Sequence, residues 1–392
     1  MPFTIEDKVL LSGFLPTAAS RARLAALAPT LTDWPALVER AETLLLAPLL
    51  RLQLAQLGAL DALPEVARAR LATGHQVWTA RHLAAVNETA RLLTALRDAG
   101  VPALPLKGAA LWLMDVYPQA GLRPALDLDL LVEPNLIAQA EQVAEACGYA
   151  VMAGRTQARP RQRLANELNH VAPRRGPNGL ILELHTRAFH FVQGARDFGW
   201  AEMKERAQLQ NGRWLPAAED LALHLIHHTM ADWQSTSAIL RTLADLHFLL
   251  AADAATRVKL RARAQTFGLS NTVALAESAL ALLAEGTLAE LDQPAAAVRL
   301  LLETALWRDA RAVADAARLF EYLDFSRQPL ARLRALGALL FTNRAHLAQL
   351  YGTTANPTQS YLRRPADLWR KFNGASVRPE MLWRMWRLRR LV

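Results

Sequence analysis

Cysteine is almost absent from this chain of 392 residues, in which Cys147 is the only one. A single thiol excludes an intramolecular disulfide and a metal site built from several cysteines, and it is typical of a reducing cytoplasm. Long apolar runs are also missing: no stretch reaches the roughly 18 uncharged apolar residues that a membrane-spanning helix needs. We therefore expect a cytoplasmic protein without a membrane span.

Positive charge exceeds negative charge, but the excess is concentrated at one end of the chain. The 45 Lys and Arg residues and the 36 Asp and Glu residues give a formal net charge of +9. Residues 361–392 hold nine basic and two acidic residues, or +7, which leaves +2 for residues 1–360. A basic chain often binds nucleic acid, but here the charge describes a tail and says little about the rest of the protein.

The basic tail alternates aromatic and basic residues, and three interpretations of it stay open. Trp383 and Trp386 stand among arginines. The tail could pack as a helix with an arginine-rich outer face, contact RNA or an acidic partner through stacking and charge, or lie at a membrane surface as an amphipathic helix.

Apolar periodicity changes along the chain and predicts an α+β, predominantly helical fold. Apolar residues recur at helical spacing in segments such as Trp34–Leu54, whereas the middle of the chain has short strand-length runs and the hairpin signal Asn211-Gly212. We expect a small mixed β-sheet core flanked by N- and C-terminal helical regions. The predicted regions are residues 1–98, helical; 99–215, the core; 216–360, helical; and 361–392, the tail.

Two aspartates in the core region alternate with leucines along a predicted strand. Asp127 and Asp129 would face one side of it, while Leu128 packs on the other. Two adjacent carboxylates repel each other, and a hard divalent cation with oxygen ligands relieves that repulsion. The alternative is a half-exposed strand whose polar face lies in water, and this pattern fits both readings.

A second segment alternates in the same way and places Glu183 and His185 on one face. If its strand neighbours the first, Glu183 joins the two aspartates. Three carboxylates on adjacent strands suit a two-metal site for phosphoryl transfer, in which one carboxylate takes a proton from the attacking hydroxyl. An exposed strand residue is the alternative for Glu183.

Basic and glycine residues precede the carboxylates. Lys107-Gly108 is predicted where a strand turns into a helix, and glycine there lets the backbone approach a phosphate, while the lysine adds a point charge. Arg123 lies four residues before Asp127 and could clamp phosphate oxygens. An ordinary turn and an exposed loop arginine are the alternatives.

Taken in order, these segments resemble the uncharacterised nucleotidyltransferase family, which belongs to the DNA-polymerase-beta-like nucleotidyltransferase superfamily. The likeness runs from about Trp34 to Leu250. The segments that carry it are Leu106-Lys107-Gly108, Tyr117-Pro118, Gly121-Leu122-Arg123-Pro124, Asp127-Leu128-Asp129-Leu130-Leu131-Val132 and Glu183-Leu184-His185.

The resemblance implies a small mixed sheet that binds Mg²⁺, or Mn²⁺, and a nucleoside triphosphate such as ATP. It implies that the metal-binding and catalytic residues are Asp127, Asp129 and Glu183. The candidate nucleotide-binding residues are Lys107, Gly108, Arg123, His185 and His228.

The turn after the first strand departs from the superfamily pattern. That turn usually carries Gly-Ser or Gly-Gly, whereas this chain has Gly108-Ala109, and 18 residues separate Gly108 from Asp127. The serine that touches the triphosphate is therefore missing, and the resemblance offers Lys107 as its replacement.

Further histidines have open roles. His224 and His228 are four residues apart on a predicted helix, but no glutamate follows the first of them, which argues against a zinc protease. The resemblance places a histidine near His228 and an aspartate near Asp245 beside the cleft, and a buried structural pair is the alternative. His170 could flank the catalytic strands.

The sequence thus predicts a Mg²⁺-dependent nucleotidyltransferase, which moves a nucleoside monophosphate from a nucleoside triphosphate to an acceptor hydroxyl or phosphate. The acceptor class stays open among a small molecule, a peptide or protein, and an RNA end. The alternative is a non-catalytic protein of the same fold that holds RNA or a protein partner through its basic tail.

Overall fold

The computed structural model describes residues 3–152, 171–189, 198–231, 238–251 and 253–306, with isolated positions at 358–359, 361–363, 383 and 387. Helices precede and follow a small mixed sheet, so the predicted helix-rich α+β class is confirmed. His170 and most of the basic tail lie outside the described residues. The domain boundaries stay a prediction.

Five helices precede the sheet. They are α1 (Ile5–Ser12), α2 (Ala18–Leu27), α3 (Trp34–Thr43), α4 (Ala47–Gln56) and α5 (Glu65–Asp98). The segment Trp34–Leu54, predicted to be helical, is divided between α3 and α4. Leu45 between them takes a φ of +58°, and Pro48 lies in the first turn of α4, where its missing N–H costs no helical hydrogen bond.

Among the described residues, one mixed sheet of five strands forms the middle of the chain. Its strands are β1 (Ala103–Pro105), β2 (Asp127–Val132), β3 (Ala150–Val151), β4 (Arg174–Arg175) and β5 (Ile181–His185), and their spatial order is β1-β2-β5-β4-β3. The β2–β5 pair is parallel and the other pairs are antiparallel. The two polar strands predicted from the sequence are therefore direct neighbours.

The leucines of β2 and β5 bury one face of this sheet. Leu128, Leu130, Leu182 and Leu184 are at most 1% exposed and pack with apolar side chains of α5 and of the following helix α7 (Ile137–Ala146). Because side chains alternate along a strand, the acidic residues emerge on the opposite face. Between β1 and β2 lies the short helix α6 (Lys107–Leu113).

Helices also follow the sheet, after a short hairpin. The elements are α8 (Trp200–Arg206), β6 (Gln208–Gln210), β7 (Arg213–Leu215), α9 (Ala218–Ile226), α10 (Ile239–Leu250), α11 (Ala254–Thr266), α12 (Ser270–Glu285), α13 (Leu288–Asp292) and α14 (Ala296–Ala305). Asn211 and Gly212 both have positive φ at the tip of the β6–β7 hairpin, as predicted. A π-helical turn, His227–Ala231, continues α9. Within the described part of the chain, every helix is too short or too polar to cross a membrane.

We expect the substitution Leu128→Ala to lower the free energy of unfolding by about 2–5 kcal/mol, because it leaves a cavity between the sheet and α5. Leu83→Ala is the matched control, since Leu83 is 56% exposed on α5, and its effect should stay within about 0.5 kcal/mol. Urea unfolding of the full chain measures both. Equal effects would show that this face of the sheet is not the core of the domain.

Candidate active site

The pairing of β2 with β5 brings two carboxylates side by side. Asp129 lies opposite Glu183 in the parallel register, and His185 follows two residues later on the same face. Single ligand atoms of Asp129, Glu183 and His185 lie within 4.8 Å of one another. Asp129 is 1% exposed, whereas the Glu183 side chain is 21% exposed. The group therefore has a buried inner carboxylate and a reachable outer one.

Two neighbours compensate the buried charge of Asp129. Its Oδ1 atom accepts a hydrogen bond from Lys107 Nζ at 2.8 Å and from His185 Nε2 at 2.8 Å. Burial alone would raise the pKa of Asp129, but the charge of Lys107 and the hydrogen bond from His185 hold this pKa well below its usual value. Asp129 is therefore ionised at neutral pH.

Lys107 reaches Asp129 from an unusual backbone conformation. It is the first residue of α6 and has a φ of +45°, which a residue with a side chain rarely adopts. The preceding amide, Leu106 N–H, donates to the Asp129 carbonyl at 2.9 Å and fixes the end of β1 against β2. Burial lowers the pKa of Lys107, but the adjacent carboxylates raise it overall, so the amine stays charged.

Asp127 lies on the same face as Asp129 but is not part of the close group. Burial and the negative charge of Asp129 raise the pKa of Asp127, while the charges of Lys107, Arg241 and Arg123 oppose this rise. The sequence grouped Asp127, Asp129 and Glu183. The residues whose ligand atoms lie closest are Asp129, Glu183 and His185, so His185 was not foreseen as a member of the inner group.

Arg123 forms a buried ion pair with Asp245 of α10. Its Nε and Nη2 atoms donate to Asp245 Oδ1 at 3.1 Å and Oδ2 at 2.9 Å, and Nη1 donates to the Pro124 carbonyl at 3.1 Å. Tyr117 also donates to Asp245 Oδ1 at 2.6 Å. Both residues of this pair are buried, at 6% and 0% side-chain exposure. All three guanidinium nitrogens thus have protein partners, and Asp245 pairs with Arg123 and Tyr117.

Two glycines, Gly108 of α6 and Gly121 of the loop before β2, allow close packing against neighbouring side chains. A Cβ atom on Gly108 would lie 2.9 Å from Ala125 Cβ and 3.0 Å from Arg123 Nη1. Gly121 has a φ of +83°, and a Cβ there would lie 2.5 Å from Thr79 Oγ1 of α5. Gly108 therefore lies directly against the buried Arg123 side chain, and Gly121 holds the loop before β2 against α5.

His224 is a buried neutral histidine near the carboxylates. Its Nδ1 atom donates to the Ala188 carbonyl at 2.7 Å, and its Nε2 atom has no hydrogen-bond partner among the described residues. Burial, with the charges of Lys107 and His185, lowers the pKa of His224 to about 3. The ring of His228, in the π-helical turn, lies 6.1 Å from the ring of His224.

Arg241 is a cation near the site, and it was not predicted from the sequence to belong there. It lies on α10, one turn before Asp245. Its Nε atom is buried without a hydrogen-bond partner among the residues that the structure describes. Burial and the charge of Arg123 lower the pKa of Arg241 to about 10. The available signal was the pattern Arg241-x-x-x-Asp245, which places two charges on one face of an otherwise apolar helix.

The donor set fits a divalent cation. Asp129 and Glu183 offer carboxylate oxygens, the ligands that Mg²⁺ and Mn²⁺ prefer, and the imidazole of His185 lies within reach of both. Since the His185 Nε2 atom already forms a hydrogen bond with Asp129, the simplest role of His185 is to orient that carboxylate.

Comparison with known families agrees with this geometry. The profile of a family described as uncharacterised nucleotidyltransferase matches residues 30–285, well over half of the chain. The chain therefore belongs to this family. The matched segment contains every residue of the site and ends with α12. Searches of curated proteins and of solved structures find no significant match.

We expect Asp245→Asn to lower the free energy of unfolding by about 3–5 kcal/mol, because it leaves the buried Arg123 charge without its partner. Tyr117→Phe, which removes only one hydrogen bond to Asp245, should cost about 1 kcal/mol. Urea unfolding at neutral pH measures both changes. If Asp245→Asn cost no more than Tyr117→Phe, the ion pair would not organise this region.

Proposed function

We propose that this member of the uncharacterised nucleotidyltransferase family is a metal-dependent enzyme that transfers a nucleoside monophosphate from a nucleoside triphosphate to an acceptor hydroxyl or phosphate. An acceptor oxygen forms a bond to the α-phosphorus, the bond from that phosphorus to the oxygen bridging to the β-phosphorus breaks, and pyrophosphate leaves. The observation that carries the proposal is the group of Asp129, Glu183 and His185 on adjacent parallel strands, with Lys107 against it.

Asp129 and Glu183 are the residues proposed to hold Mg²⁺ or Mn²⁺, with Asp127 beside them on the same face. When bound, such a cation neutralises the charge of the phosphate oxygens in the transition state. Through its hydrogen bond at 2.8 Å, His185 would keep the Asp129 carboxylate ionised and oriented toward the cation.

Glu183 is the proposed proton acceptor for the attacking hydroxyl. Its side chain is the more exposed of the two close carboxylates, so an acceptor molecule can reach it. Asp129 is unsuited to this role, since it is buried and its lowered pKa disfavours taking up a proton.

Lys107 is the proposed phosphate ligand at the inner end of the site. Its amine has three donors, of which one is used by Asp129, so it can also donate to a phosphate oxygen. Gly108, His185 and His228 remain proposed nucleotide-binding residues. For Arg123 we propose a supporting role in place of direct phosphate binding, because its side chain is 6% exposed and three of its five N–H donors bond Asp245 and the Pro124 carbonyl.

The carboxylates are tested by the substitutions Asp129→Asn and Glu183→Gln. We expect each to weaken binding of the magnesium complex of a nucleoside triphosphate at least about tenfold, since each removes a charged ligand that contributes roughly 1.4 kcal/mol or more. Isothermal titration with each of the four common nucleoside triphosphates measures the affinity.

The matched control is Asp61→Asn, because the Asp61 side chain is 95% exposed and, among the described residues, forms an ion pair only with the exposed Arg68. This variant should bind like the parent. Thermal unfolding checks that each variant is folded, and Glu183→Gln keeps the test decisive if Asp129→Asn is unstable. Parental affinity in Glu183→Gln would refute the proposed metal site.

A further inference from the structure

Helix α10 carries a cation, Arg241, that forms no direct ion pair with any described residue. Arg241 and Asp245 lie one turn apart on the same helix, which is apolar along most of its length. The Arg241 Nε atom is buried and has no hydrogen-bond partner within the described ranges. No carboxylate oxygen of those ranges comes within 4.0 Å of its nitrogens, so it forms no ion pair there.

The obvious partner of Arg241 is already occupied. Both oxygens of Asp245 are bonded to Arg123, and Tyr117 donates to one of them as well. The further carboxylate whose charge acts on Arg241 is that of Asp127, which forms no ion pair with it. Arg241 is half-buried, with its Nε atom enclosed, and its pKa of about 10 leaves it protonated at neutral pH. Arg241 is thus a charged donor beside the site that no described protein group binds directly.

Three cations, Lys107, Arg123 and Arg241, oppose the rise in the pKa of Asp127 in the row of carboxylates along β2. They differ in whether they form an ion pair. Lys107 bonds Asp129, and Arg123 bonds Asp245. Arg241 alone among the three has no ion pair with a described residue, although its charge acts on Asp127 at the outer end of the row. The buried Arg123 is paired, as buried structural arginines normally are, whereas the half-buried Arg241 lies beside the site without such a pair among the described residues.

We infer that Arg241 is a phosphate-binding residue, which receives the polyphosphate of the substrate at the Asp127 end of the site while Lys107 serves the Asp129 end. This inference rests on the proposed function for the identity of the ligand. A guanidinium group suits the role because its planar donors match two phosphate oxygens at once. The ligand class is a polyphosphate, either the triphosphate of the nucleotide or the pyrophosphate that is released.

The test compares Arg241→Met and Arg241→Lys with the parent, all as the full chain. The matched control is Arg257→Met, which changes the net charge equally at an exposed position of α11. Isothermal titration with inorganic tripolyphosphate, with each nucleoside triphosphate and with each nucleoside, in the presence of Mg²⁺, separates binding of phosphate from binding of the base.

We expect Arg241→Met to weaken tripolyphosphate and nucleoside triphosphate binding about ten- to a hundredfold, as for the loss of hydrogen bonds between charged groups. Nucleoside binding should not change. Arg241→Lys should retain part of the affinity, and Arg257→Met should behave like the parent. Parental affinity of Arg241→Met for tripolyphosphate and for nucleoside triphosphates would overturn the inference.

Thermal unfolding without ligand separates a ligand-binding role from a structural one. Removing a half-buried cation that has no direct ion pair should leave the melting temperature of Arg241→Met equal to that of the parent or higher. A marked fall would show that Arg241 supports the fold, and it would overturn the inference.

The two proposals can fail separately. A parent that binds nucleoside triphosphates, with Arg241→Met binding them equally well, removes the inference and keeps the proposed function. A parent that binds tripolyphosphate through Arg241 but no nucleoside triphosphate keeps the phosphate site and contradicts the proposed function. A parent that binds neither contradicts both.

Discussion

The burial of one carboxylate, Asp129, is the constraint on which the site depends. A carboxylate that is 1% exposed is stable as an anion only if charged or hydrogen-bonding groups surround it. Lys107 supplies the charge and His185 supplies a further hydrogen bond. β2 carries Asp129, β5 carries His185, and Lys107 follows β1 at a φ of +45°, so the pairing of these strands brings the compensating groups to the buried carboxylate.

A second buried ion pair connects the sheet with the helices that follow it. Arg123 precedes β2 and Asp245 lies on α10, 122 residues later in the chain. Their pairing fixes α10 beside the carboxylates and brings Arg241 to the same place. The two networks differ in their contacts: Asp129 has more than one direct partner, whereas Arg241 has no direct hydrogen-bond or ion-pair partner among the described residues. Shifted pKa values such as those of Asp129 and Arg241 cluster at functional sites.

The sequence predicted which side chains share a face of each strand, but it predicted less well which of them lie in contact across neighbouring strands. Alternating Leu and Asp placed Asp127 and Asp129 on one face, and the parallel register then set Asp129 beside Glu183. Alternation along a strand cannot specify which third residue lies closest to Asp129 and Glu183, since that depends on the register between the strands. In the structure this residue is His185. The pairing of Arg123 with Asp245 was also beyond local patterns, because it joins segments that are distant in sequence.

The central claim of the proposed function is that the group transferred is a nucleoside monophosphate, which contains the α-phosphate of a nucleoside triphosphate. The most direct test follows two labels, one on the α-phosphate and one on the γ-phosphate, for each of the four nucleoside triphosphates incubated with the protein, Mg²⁺ and a cell extract as the source of acceptor. We expect the added protein to move the α-label into an acceptor and to release the γ-label as pyrophosphate. Protein-dependent transfer of the γ-label to an acceptor, or no protein-dependent transfer of the α-label from any of the four, would contradict this claim.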